Sequence, residues 1–192
     1  MTDIQQYNPY PSFQPGQQEA VQQILELHDA GQKVVELNAP TASGKSLDLY
    51  IIGRILTEEL QVGRTVYTTP LVALVNQLEN ESAFSAMPVL KGKRNYPCDI
   101  LRSALGNTWS SADDCPFENW QMAMGENPAC GQCPYHRAYG KFVSRDFGAT
   151  TLARYQMQGK VRDETTVLLV DESAGLEKTL IDRATLVMPD EV

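Results

Sequence analysis

Val34-Val35-Glu36-Leu37-Asn38-Ala39-Pro40-Thr41-Ala42-Ser43-Gly44-Lys45-Ser46 is the stretch on which the fold turns. Val34 to Leu37 reads as a short strand. A loop follows, and from Lys45 to Leu60 the residues Leu47, Ile51, Ile52, Ile55 and Leu56 recur at helical spacing. Strand, loop and helix in that order is the setting in which a Gly-Lys-Ser loop binds phosphate, because backbone N–H groups and the positive helix end face the anion. Pro40, Thr41, Ala42, Ser43 and Gly44 would wrap the phosphates, Lys45 would reach the β- and γ-phosphates, and Ser46 would hold Mg2+. ATP and Mg2+ are therefore the expected ligands. Ala39 stands where the strict loop pattern has its first Gly.

Outward from the loop the order continues. Gln17 to Ala30 carries Ala20, Val21, Ile24, Leu25 and Leu27 on a helical period, and Gly31 stops it. Thr65 to Thr69 reads as a second strand, and Pro70 opens a helix from Leu71 to about Asn80. Ala149–Ala153 and Thr166–Val170 are two further expected strands. Strands alternating with helices predict an α/β fold with a parallel, doubly wound sheet. The last apolar run ends in Asp171-Glu172. An aspartate there can join the Mg2+ shell, and the neighbouring glutamate can orient and deprotonate the attacking water. Lys45, Asp171 and Glu172 are the catalytic candidates.

The chain has 192 residues, enough for one compact domain with a core. No apolar run reaches the roughly 18 residues of a membrane span, so no membrane partner is expected. Met1 to Gln6 lacks the basic and apolar regions of a signal peptide, and a cytoplasmic, reducing location is expected. In that setting cysteines serve metals or clusters more often than disulfides. Net charge is −8. Residues 91–162 hold ten basic and six acidic side chains, a local +4, against six and eighteen elsewhere, −12. The positive island suggests a nucleic-acid surface on an acidic body.

Between about Ser82 and Gly148 the periodicity fades, and all four cysteines fall there: Cys98, Cys115, Cys130 and Cys133. So long a stretch without elements is expected to be stapled by ligation in place of a core of its own. Four thiolates suit a [4Fe–4S] cluster or a structural zinc. Zinc ribbons show two close pairs, whereas here only Cys130 and Cys133 are close. His28 and His136 show no ligand-like spacing.

The flanks of these motifs resemble one family. Ala-Pro-Thr-x-Ser-Gly-Lys-Ser is the loop form of superfamily 2 helicases, and Phe13-Gln14-Pro15-Gly16-Gln17 resembles the adenine-reading Q motif, with the Gln17 amide facing the base. Leu90-Lys91-Gly92-Lys93-Arg94-Asn95-Tyr96-Pro97-Cys98 resembles the cysteine signature of the XPD/DinG iron–sulfur helicases. Cys130-Gly131-Gln132-Cys133-Pro134-Tyr135 resembles another segment of that family. The resemblance runs over roughly residues 10–176.

It implies a RecA-like ATP-binding domain over 1–81 and 149–192, with a [4Fe–4S] insert at 82–148. It also implies single-stranded or fork DNA as partner and 5′→3′ unwinding in whole family members. Lys91, Lys93, Arg94, Tyr96, Arg137 and Lys141 then become expected DNA contacts, with packing over the cluster the preferred reading for the Tyr96 and Tyr135 rings. Asp171-Glu172-Ser173-Ala174 departs from the family's Asp-Glu-Ala-His, which puts coupling in doubt, and Arg154-Tyr155 replaces Asn-His or Asn-Tyr. The second motor domain is expected from a downstream segment or a separate chain, and this portion alone should turn over weakly. Two other readings fit the residues: a non-motor DNA-binding or regulatory module of the same fold, and a zinc-bearing phosphate-loop ATPase.

Overall fold

The structure is a computed structural model and describes residues 2–40, 43–116 and 127–172. Thr41 and Ala42 of the loop, and Ser173 and Ala174 behind the acidic pair, lie outside the described residues. The described helices are α1 (Gln17–Asp29), α2 (Lys45–Arg54), α3 (Val72–Asn80), α4 (Asp99–Leu105), α5 (Pro134–Val143), α6 (Leu152–Met157) and α7 (Gly159–Glu164). The described strands are β1 (Arg64–Thr69), β2 (Val89–Leu90), β3 (Phe147–Thr151) and β4 (Thr165–Val170). They form one sheet in the order β2-β3-β1-β4, every pair parallel. The expected α/β parallel sheet is thus present. No helix among the described residues is long and apolar enough to cross a membrane.

β1 sits inside the sheet and Thr65 to Thr69 are all buried, as a strand covered on both faces must be. Alternation sends its neighbours to opposite cores. Tyr67 joins Val21, Leu25, Ile51, Ile55, Val75, Phe147 and Leu169 under α1, α2 and α3. Val66 joins Leu90, Tyr96, Tyr135, Phe142, Tyr155 and Val161 on the other side. β3 ends two residues earlier than the sequence suggests because Thr151 caps α6, its hydroxyl accepting from the Arg154 N–H at 3.2 Å.

Two expectations fail. Val34–Leu37 is not a strand; Val34 is 86% exposed, and the segment makes no ladder among the described residues. A strand needs a partner as well as β-prone residues, and the described sheet ends at β4 without one beside it. The cysteine-bearing stretch is not featureless either. It contains α4 and α5, and β2 pairs in the main sheet through Val89 with Ala149 and Leu90 with Thr150. Tyr96, Ala112, Tyr135 and Phe142 seat it on the sheet, so apolar packing holds it in addition to anything the cysteines bind.

Candidate nucleotide site and cysteine cavity

Gly44 opens α2 with φ +84, a conformation that suits glycine, and a Cβ there would stand 2.2 Å from Gln17 Nε2. Lys45 folds back over the loop, its Nζ donating to the carbonyls of Ala39 at 2.9 Å and Pro40 at 2.8 Å. Ser43 Oγ is buried without a hydrogen-bond partner among the described residues, an arrangement that suits a phosphate oxygen. Ser46 Oγ donates to Asp171 Oδ2 at 2.7 Å. The parallel pairing of β1 with β4 brings these distant residues together, and the Asp171 N–H continues the ladder to Thr68 O at 2.8 Å. Ser46 and Asp171 therefore fit the pair of oxygens that Mg2+ takes. Glu172 is exposed with φ +60, a strained backbone for a non-glycine residue.

Sequence reasoning missed Tyr67. Its hydroxyl also donates to Asp171 Oδ2, so the carboxylate is held from two sides. Burial first, and then Asp171, push the Tyr67 phenol far above its ordinary range, which keeps it a donor. An aromatic residue in a buried strand reads as core, and only the parallel register reveals its polar end.

Gln17 is only 4% exposed, and both ends of its amide meet protein. Oε1 accepts from the Gln14 N–H at 2.8 Å, while Nε2 donates to Asp48 Oδ1 at 3.1 Å and lies 3.4 Å from Gly44 O. In this arrangement the residue expected to face adenine braces the loop from beneath. Burial raises the Asp48 carboxyl to about 7, against the opposing pull of the Gln17 hydrogen bond and of Lys45.

The four cysteines come from three separate stretches and line a single cavity of about 280 Å3. Pro97 makes an isolated antiparallel bridge to Ser111, which draws Cys98 beside the turn leading to Cys115. Ser111 caps that turn, and Asp114 returns the contact to the Ser111 N–H at 2.8 Å. Cys130 N–H to Asn127 O and Cys133 N–H to Cys130 O close the second pair of turns. Cys98 and Cys133 are the residues from which α4 and α5 start. Burial pushes the Cys130 thiol up, and Cys115, Cys98 and Cys133 add to it. Among the described residues no three His, Cys, Asp or Glu side chains are placed to hold one metal ion. His136, discounted on spacing, also lines the cavity, and burial followed by Lys93 lowers its pKa.

The basic residues separate into two groups. Lys93 lines the cysteine cavity and lies 5.7 Å from the centre of the Tyr135 ring. Arg94 is exposed and pairs with Asp113 at 2.7 Å. Lys91, Arg137 and Lys141 line a different groove. Tyr96, expected as a DNA contact or as packing over the cluster, is 6% exposed, meets Tyr135 edge-on at 5.6 Å and also lines this groove. Arg154 lies 5.5 Å from the Tyr135 ring and donates to its hydroxyl, joining α6 to α5.

No curated protein matches the chain. Residues 14–92, from the Gln17 segment through the phosphate loop to β2, match the DEAD/DEAH box helicase family, a likeness that supports a superfamily 2 helicase using ATP and Mg2+ on nucleic acid.

Proposed function

We propose that the chain is the ATP-binding part of an iron–sulfur DNA helicase of XPD/DinG type, coupling ATP hydrolysis to movement along single-stranded DNA. The observation that carries this reading is the convergence of Cys98, Cys115, Cys130 and Cys133 on one cavity packed against the same sheet as the phosphate loop. Four thiol donors around one cavity fit a [4Fe–4S] cluster, and the chain spacing, with only Cys130 and Cys133 close together, favours it over a zinc ribbon with two close pairs.

Lys45 would leave the Ala39 and Pro40 carbonyls for the β- and γ-phosphates, and Ser43 Oγ would donate to a phosphate oxygen. Ser46 and Asp171 would hold Mg2+, which when bound offsets charge on the transferring phosphoryl group. Glu172 would take the proton of the water that attacks the γ-phosphorus as the bond to the bridging oxygen breaks. Tyr67 would keep Asp171 oriented throughout.

Iron, zinc and acid-labile sulfide analysis of anaerobically purified protein tests the cluster. About four irons per chain and a yellow-brown colour are expected. One zinc and a colourless sample would overturn the iron–sulfur part and favour the zinc-bearing ATPase. Cys130→Ser should lose the iron while retaining the sheet.

A further inference from the structure

A groove of about 890 Å3 opens between the Ser85–Val89 segment and α5 with the residues after it. Its charged lining consists of Glu58, Glu79, Lys91, Arg137, Lys141 and Arg145. Both carboxylates are engaged. Glu58 accepts two hydrogen bonds from Arg54 at 2.8 Å, and Glu79 pairs with Lys91 at 2.6 Å. Arg137, Lys141 and Arg145 are exposed, and among the described residues their side chains make no ion pair. Three uncompensated cations therefore share one groove in a chain of net charge −8.

Their placement is ordered. Arg137 and Lys141 stand one helical turn apart on α5, about 6 Å along its axis. Arg145 follows just past the Ser144 cap. The opposite stripe of α5, including Tyr135 and Phe142, is locked in the core, which fixes the face the cations occupy. Ala86 and Pro88 give the groove an accessible apolar side, and the buried Met87, Val89 and Tyr96 complete its lining. A line of cations beside an apolar wall suits a single strand, with phosphates on one side and sugars or bases on the other.

We propose that this groove binds the backbone of a single nucleic-acid strand, with Arg137, Lys141 and Arg145 on its phosphates. The inference rests on the nucleic-acid reading above and locates the strand. It adds Arg145, and it places the contact away from Lys93 and Arg94, which face Tyr135 and Asp113.

Fluorescence anisotropy of a labelled oligothymidylate with the full chain tests it across a salt series. Replacing Arg137, Lys141 and Arg145 together by Glu should lower affinity tenfold or more. The log–log salt slope should shrink by about 2, at roughly 0.7 per phosphate. The milder triple change to Gln should give an intermediate loss, and unchanged MgATP binding certifies the fold of both variants. Lys160→Glu with Arg162→Glu, exposed on α7 and outside the groove, should stay within about twofold of the parent. Strand binding that survives the triple reversal overturns the groove alone. A loss as large in the Lys160/Arg162 pair, or tighter binding of the matching duplex than of the single strand, also overturns the groove. A parent chain that binds no strand overturns the groove and the helicase reading together.

Discussion

Asp48→Asn should make the protein more stable, and only above acidic pH. Asp48 lies in the first turn of α2, is 3% exposed, and accepts from Gln17 Nε2 at 3.1 Å. Burial lifts its carboxyl to about 7. In the unfolded chain an aspartate titrates near 3.9. The native state thus keeps a proton at pH values where the unfolded chain has lost it. Stability is full below about pH 4, falls as pH rises to about 7, and is level beyond. About three pH units at 1.36 kcal/mol each makes the fall on the order of 4 kcal/mol. Asparagine keeps the shape and the acceptor for Gln17 but carries no charge to bury. Urea unfolding from pH 4 to 9 should show the two proteins equal at the acid end and the variant ahead by several kcal/mol at pH 8. A gap that does not change with pH, or a parent that gains stability between pH 5 and 8, would refute the buried-acid argument.

Tyr67→Phe removes one of the two side-chain donors to Asp171 and should lower stability by about 1.5–3 kcal/mol, the usual worth of a hydrogen bond to a charged group, read by urea unfolding. MgATP affinity measured by calorimetry should weaken with it. Gly53→Ala gains about 1 kcal/mol of helix propensity, but its Cβ would meet the Phe147 ring at 2.3 Å, and overpacking of about 1–3 kcal/mol should win, lowering the melting temperature. Lys45→Ala should reduce ATP affinity tenfold or more, about 1.4 kcal/mol per decade, while Glu172→Gln should bind ATP normally and fail to hydrolyse it in a single-turnover assay.

The parallel sheet and the ends of the nucleotide site could be read from the sequence because both depend on local order. Gly44, Lys45 and Ser46 announce themselves by spacing, and Asp171 by the apolar run before it. What stayed hidden depended on partners distant in sequence. Val34–Leu37 has a strand's composition but no neighbour to pair with in the described sheet. The polar role of Tyr67 appears only once the β1–β4 register is known. Gln17 was recognisable as important, yet its direction was set by Asp48, which the sequence presents as an ordinary helix residue. α5 was legible in principle, since Tyr135, Ala138, Tyr139, Phe142 and Val143 follow a helical stripe. Its short length and its Gly140 obscured that pattern.

Among the described residues the outer side of β4 is unpaired, which has a consequence for handling the molecule. Thr166 and Leu168 are exposed, and the outer row of backbone donors and acceptors faces no described strand. Such an edge is a template for any extended segment that meets it, including the same edge of another copy. Concentrated samples should therefore turn cloudy on standing, faster as protein concentration rises and without prior loss of the native fold. Shelf life would then be governed by one strand, independently of nucleotide or metal. An additive that occupies backbone hydrogen bonds should lengthen it more than an added salt does.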